Sequence, residues 1–362
     1  MTQTQLENRL AKIAGADREA MQRAQKRQAE LAKPPGSLGK LEEISVALAA
    51  MTGKVKNEIE KTRIYVLAAD NGIAAEGVSS APQSVTLAQA VNLTKGLTGA
   101  SAMAKAFGDE LTVVDVGICQ DVNCPEILDR KIARGTKNFA VEPAMTKEQA
   151  LRAIEIGLTL AEQAKSDGVS LLGVGEMGIG NTTTSSAVLA ALTALPAQSV
   201  TGFGGGLTDA AFRRKTKLID DAIKKYQPEK DDVIGILSAV GGFDLCAMTG
   251  VFLGAAEARI PVVIDGFISV VAALCAATLC PQAKDFFLPS HCSAERGYQI
   301  AADQLGLRPY FSLDMRLGEG SGCPLAFRVV QAACAAMNHM ATFCEAGIDD
   351  AYLEPIRKGD AV

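Results

Sequence analysis

Six apolar runs recur along this chain, nearly all ending in glycine or an acid: TRIYVLAAD (62–70), ELTVVDVG (110–117), VSLLGVGE (169–176), DVIGILSAVGG (232–242), RIPVVIDG (259–266) and KDFFLPSH (284–291). They are too continuously apolar for one face to meet water, which is the pattern of parallel strands covered on both sides. Helical stretches lie between them, for example KEQALRAIEIGLTLAEQAK (147–165) and FDLCAMTGVFLGAAEA (243–258). Strands alternating with helices predict an α/β fold with a mainly parallel sheet and right-handed crossovers. Ligands of open α/β sheets bind at the carboxyl edge, where these runs place their Gly, Asp and Glu.

The chain ends read differently. Residues 3–31 are polar and Ala-rich and predict one or two surface helices, and KPPGSLGKLEE (33–43) supplies a turn and the start of another. Residues 328–347 predict an Ala/Met/Cys-rich helix. The expected organisation is therefore N-terminal helices over 1–58, an α/β body over 59–327 and a C-terminal helix and tail over 328–362. Both ends join in a small helical domain. Residues 262–280 form the most apolar stretch, but Asp265 and Gly266 inside it favour strand, turn and helix over a membrane span.

Composition narrows the function. A net charge of −5, 5% aromatics and no Trp leave no basic field and no stacking platform for nucleic acid. Nine cysteines, an odd number without C-x-x-C, predict reduced buried thiols and a cytoplasmic location. With His291 and His339 the only histidines, no metal site is expected. The polar N-terminus MTQTQLENRL carries no signal-peptide pattern.

LGVGEMGIGNTTTSSAVL (172–189) has the outline of a P-loop with Asn181 where the lysine would stand. Glycines let backbone approach a ligand, and a helix start attracts anions. Asn181 and Thr182–Thr184 are candidate caps for that start. Without the lysine, a monophosphate fits better than a triphosphate. An ordinary Gly-rich strand–helix turn gives the same pattern. TGFGGGLTDAAFRRKTK (201–217) is a second glycine cluster before a helix starting near Thr208, with Arg213, Arg214, Lys215 and Lys217 following. A solvated basic face is its plain alternative. MRLGEGSG (315–322) sets Glu319 between two glycines. Partial desolvation there would make the carboxylate a better base, though a surface turn reads alike. Asp220-Asp221 reads as helix, so a magnesium–diphosphate site finds no support.

Taken in order, PPGSLGKLE (34–42), AADNGIAAEGVSSAPQSVT (68–86), GVGEMGIGNTTTSSA (173–187), GFGGGLTD (202–209), GGFDLCAMTGVFLGAA (241–256), IDGFISVVAAL (264–274), PSHCSAERG (289–297) and MRLGEGSG (315–322) resemble the nicotinate-nucleotide:5,6-dimethylbenzimidazole phosphoribosyltransferases of cobamide assembly. The resemblance implies a three-layer α/β/α domain with a small helical domain, a homodimer, and transfer of phosphoribose from nicotinate mononucleotide to a lower-ligand base such as 5,6-dimethylbenzimidazole, without a cofactor. It implies mononucleotide contacts at Gly178, Ile179, Gly180, Asn181, Thr182, Gly204, Gly205, Ser290 and Ser293, with Lys215 on the phosphate. Glu319 matches the catalytic glutamate, and Glu176 is a second candidate, for orienting the acceptor or holding ribose. The acceptor pocket falls on Ser80, Ala81, Gln89, Met177 and Leu317. Serine and leucine occupy the positions of Ala81 and Met177 in several members, so a broad acceptor range, with purine or phenolic bases as alternatives, is expected. The rival readings are a mononucleotide-binding partner subunit without activity and a P-loop-like NTPase.

Overall fold

The computed structural model describes residues 1–354. In chain order, α1 (Gln3–Leu10), α2 (Arg18–Glu30) and α3 (Lys40–Thr52) precede β1 (Thr62–Ala69). Then come α4 (Ser84–Thr94), α5 (Gly99–Phe107), β2 (Glu110–Gly117), β3 (Leu128–Asp129), α6 (Lys147–Ser166), β4 (Leu171–Met177), α7 (Asn181–Thr193), α8 (Ala197–Val200), α9 (Asp209–Tyr226), α10 (Val233–Val240) and α11 (Phe243–Ala258). The remainder is β5 (Val262–Ile264), α12 (Phe267–Leu279), β6 (Phe287–Pro289), α13 (Arg296–Leu305), α14 (Cys323–His339) and α15 (Phe343–Ala346).

The six strands pair in parallel in the order β3-β2-β1-β4-β5-β6. The order in which strands are added reverses between β1 and β4, and such a switch point opens a crevice at the carboxyl edge. The register sets the two helix layers. Tyr65 pairs with Val174, and the Tyr65 hydroxyl donates to the Leu160 carbonyl of α6, 3.0 Å away. One residue back, Ile64 pairs with Gly173, and a Cβ on Gly173 would meet Cys323 and Phe327 of α14. Successive residues face opposite sides of a strand, so α6 and α14 cover opposite faces.

One expected strand is a helix. Residues 233–240 form α10, because the Asp232 side chain accepts from Gly235 N at 2.8 Å and caps a helix start. Eight apolar residues carry no periodicity that separates strand from buried helix. At the chain ends, α2, α3 and α14 share a small core of Ala24, Ala49 and Met337. The helix expected over 328–347 begins earlier, at Cys323, and breaks at Met340, which is extended, before α15. Residues 355–362 of the expected tail lie outside the described residues. Helix α1 docks elsewhere, through ion pairs from Arg9 to Glu162 of α6 and Glu257 of α11.

The α6–α11 pair packs backbone to backbone. A Cβ on Gly157 would fall on the Ala247 carbonyl and 2.5 Å from Val251 N. Helix propensity alone favours alanine there by about 1 kcal/mol. The clash with main chain outweighs it, because neither helix can yield without displacing the sheet. Gly157→Ala should therefore destabilise by roughly 1–3 kcal/mol, read as a lower urea midpoint at unchanged slope.

Candidate functional site

A cavity of about 330 Å³ opens where the carboxyl ends of β4, β5 and β6 meet the segments 78–89, 203–207 and 316–319. Of the residues expected from sequence, Ser80, Ala81, Gln89, Glu176, Met177, Gly178, Ile179, Gly180, Asn181, Thr182, Gly204, Gly205, Ser293, Leu317 and Glu319 line it. Lys215 and Ser290 stand one layer behind. Lys215 is fully buried and reaches the cavity wall by donating to Thr182 Oγ1 at 2.8 Å. Ser290 is likewise buried and spends its hydroxyl on the Asp265 carbonyl.

The acid loop has the least ordinary backbone. Gly318, Glu319 and Gly320 all have positive φ, at 83°, 62° and 83°. Glycine adopts this freely, but a glutamate there is strained, and such strain persists only where surrounding contacts hold it. The hold comes from Asp265, whose carboxylate accepts from Gly320 N at 3.0 Å and Gly322 N at 2.6 Å. The result is a Glu319 only 5% exposed. Its Oε1 accepts from Gln89 Nε2 at 3.2 Å, and its Oε2 is buried without a partner among the described residues.

Glu176 sits beside this loop, with Oε1 2.5 Å from where a Gly318 Cβ would stand. Burial, and then the charges of Asp244 and Asp265, push Glu176 up to about 8, against the pull of the Asn181 amide. Burial raises Asp265 to about 7 although the amides of Gly322 and Gly320 oppose it, and raises Asp244 to about 6. Glu176 is therefore mainly protonated at neutral pH and sets little negative charge beside Glu319. Lys215 is pulled down to about 8 by burial, with Glu295 acting the other way.

The anion loop differs from expectation in one respect. Asn181 does not cap α7. Its side-chain amide donates to Glu176 Oε2, and Gly180, at φ 94°, takes the cap position with no side-chain cap bond. The amides of Asn181, Thr183 and Thr184 turn back onto the carbonyls of Gly178 and Gly180. What the loop offers an anion is the helix dipole, the Thr182 hydroxyl and the ammonium behind it. Arg316 adds a second cation, lining the cavity and donating to the Gly204 carbonyl at 3.4 Å.

Sequence reasoning missed Asp265, Arg316 and Glu295 as cavity residues, while His291 lies inside the 290–293 segment that the resemblance placed against the mononucleotide. Asp265 at a strand end was the one with a visible signal. Nothing in the spacing pointed to Arg316.

The DBI_PRT phosphoribosyltransferase family model matches residues 13–348. The chain is 52% identical over 345 residues to the nicotinate-nucleotide–dimethylbenzimidazole phosphoribosyltransferase of Clostridium perfringens, covering 95% of this chain and 96% of that one. It is 47% identical over 354 residues to the enzyme of the same name from Clostridium tetani, covering 98% of each. The crystal structure of CobT from Thermus thermophilus is similar with a TM-score of 0.89 at 40% identity, over 92% of this chain and all of that one.

The buried charges imply a stability minimum. The folded state raises the three acids, so their contribution is present below the ordinary carboxylate range and is lost as pH rises through 6, 7 and 8. Lys215 is depressed, so its contribution is present above the ordinary lysine value and lost as pH falls to about 8. The unliganded protein should have its lowest Tm near pH 8, in differential scanning calorimetry from pH 5 to 10. Glu176→Gln should flatten the limb between about pH 7 and 8.

Proposed function

The chain belongs to the nicotinate-nucleotide–dimethylbenzimidazole phosphoribosyltransferase family, and we propose that the cavity around Glu319 is where phosphoribose passes from nicotinate mononucleotide to a benzimidazole-type base. The enzyme is a pentosyltransferase, and its products are an α-ribazole 5′-phosphate and nicotinate. The observation that carries the site assignment is the unpartnered, buried Oε2 of Glu319 on its strained loop.

The chemistry asks little of the protein in acid catalysis. A lone pair on one ring nitrogen of the base attacks C1′ of the ribose. The bond from C1′ to the pyridinium nitrogen breaks, and its electrons neutralise that ring as nicotinate leaves. The incoming base then carries one proton too many, which Oε2 of Glu319 accepts from its second nitrogen. Gln89 fixes the carboxylate through Oε1, so that Oε2 is the free acceptor. Burial excludes water that would compete as nucleophile. Thr182, backed by Lys215, takes the 5′-phosphate together with the dipole of α7. Protonated Glu176, pinned by Asn181, orients substrate without competing as base.

Ser80, Ala81, Met177 and Leu317 form the acceptor end. Met177 is flexible and Ala81 presents no hydroxyl, which supports accommodation of rings of different size. The reading extends to a cytoplasmic homodimer. All nine cysteines are free thiols, as a reducing compartment would keep them, and the family resemblance supports the dimer.

Glu319→Gln should keep mononucleotide affinity and lower kcat by on the order of 10²–10⁴, measured as nicotinate release with dimethylbenzimidazole. Retention of more than about a tenth of kcat would remove Glu319 from the role of base. Lys215→Ala should raise the KM for nicotinate mononucleotide by roughly 10–100-fold and leave that for the base nearly unchanged. Equal weakening toward both substrates would point to a structural defect instead.

A further inference from the structure

His291 follows β6, is 2% exposed and forms part of the cavity wall with Gly266 and Ser293. Its ring stacks against Tyr298 and Phe311, at centroid distances of 6.5 and 6.3 Å. The surrounding hydrogen bonds fix its tautomer. Ser290 Oγ donates its single proton to the Asp265 carbonyl at 2.8 Å, and a carbonyl can only accept. The same Oγ lies 3.0 Å from His291 Nδ1, so Nδ1 must carry the proton and donate to it. Nε2 is left with a bare lone pair, 3.8 Å from where a Cβ on Gly266 would stand. Burial keeps the ring neutral by pulling it down to about 4.

We propose that His291 Nε2 accepts a hydrogen bond from a ribose hydroxyl of the mononucleotide and so fixes the sugar relative to Glu319. This rests on the reading of the cavity given above. The identity of the donor follows from the chemistry of the two substrates. The phosphate and the pyridine carboxylate are anionic acceptors, which an unprotonated nitrogen repels. The N–H of the incoming base belongs to Glu319. The remaining donors on either substrate are the 2′- and 3′-hydroxyls. Asp265 ties the two acceptors together, holding His291 through Ser290 on its carbonyl and the Glu319 loop on its carboxylate. A sugar hydrogen-bonded to Nε2 is thereby registered against the base that completes the reaction.

The test compares nicotinate mononucleotide with its 2′-deoxy and 3′-deoxy forms in the wild-type enzyme, His291→Phe and His291→Gln. Nicotinate release from the intact mononucleotide by wild type tests the reading of the cavity on its own. For the inference, one deoxy form should lose about tenfold in kcat/KM with wild type, the effect of one unpaired buried acceptor. In His291→Phe, which keeps an aromatic ring in the stack, that penalty should shrink to within about twofold. His291→Gln, whose Oε1 can approach the Nε2 position, should restore part of it. The same penalty in wild type and His291→Phe, or no penalty from either deoxy form in wild type, overturns the proposal. With only two histidines in the chain, ¹⁵N NMR of the imidazoles gives a second measurement that needs no His291 variant, with His339→Gln for assignment. Nε2 of His291 should be unprotonated in the free enzyme and should shift on addition of nicotinate mononucleotide. A proton on Nε2 overturns the proposal.

Discussion

Asp265 gives its two carboxylate oxygens to the amides of Gly320 and Gly322, and its carbonyl to the hydroxyl of Ser290. The first pair of bonds holds a glutamate in a left-handed conformation that costs of order 1–3 kcal/mol. Two hydrogen bonds to this carboxyl, each contributing about 0.5–3 kcal/mol according to its charge, are of a size to offset that strain. With the loop held, Glu319 is turned inward and its Oε2 is left without a partner among the described residues. Gln89 on the carboxylate and Gly175 packed against the backbone of Glu319 and Gly320 complete the hold.

The same carboxylate takes part in a crowding of negative charge. Glu176, Asp265 and Glu319 are buried on the wall of one cavity, and Asp244 is buried behind Gly178 of the same wall. Four ionised acids would repel one another strongly in a dry site, and the protein resolves this by keeping some of them protonated. Glu176 is the clearest case, raised by its own burial and by its neighbours. Held neutral, Glu176 meets a neighbour or ligand as a hydrogen-bonding group instead of as a charge. A reaction whose leaving group already carries positive charge suits such a site. It needs a base for the incoming nucleophile and no strong acid for the departing ring.

Much of this was legible in the sequence because glycine and strand ends speak locally. The runs at 62–70, 110–117 and 169–176 correspond to β1, β2 and β4 within two residues at either end. The glycines at 178, 180, 204 and 205 lie on the cavity. The apolar run at 232–242 misled because burial on all sides erases periodicity, leaving the Asp232 cap as the deciding feature. Asn181 misled for a different reason. A cap is a local rule, whereas its side chain is drawn to Glu176, a partner whose position depends on the end of a strand. Arg316 was out of reach, since it gains its place from Gly204, remote in the chain, and the orientation of His291 was equally so, since Ser290 relays it from Asp265.

The bonds that place Glu319 are long-range in sequence. Gly320 is separated from Asp265 by 55 positions, and Gln89 from Glu319 by 230. Synthesis runs from the N-terminus, so a nascent chain can complete β1, β4 and their helices well before residue 319 emerges. Until then the carboxyl edge of the sheet is an open apolar crevice, with Asp265 and Gln89 lacking the loop they hold. Closing the site is among the slower steps that chain entropy imposes, because distant contacts return free energy only after the intervening loops are ordered. The completed site therefore depends on residues that emerge late, and a chain stalled or cut before residue 319 would carry all six strands yet lack Glu319 and the loop that holds it.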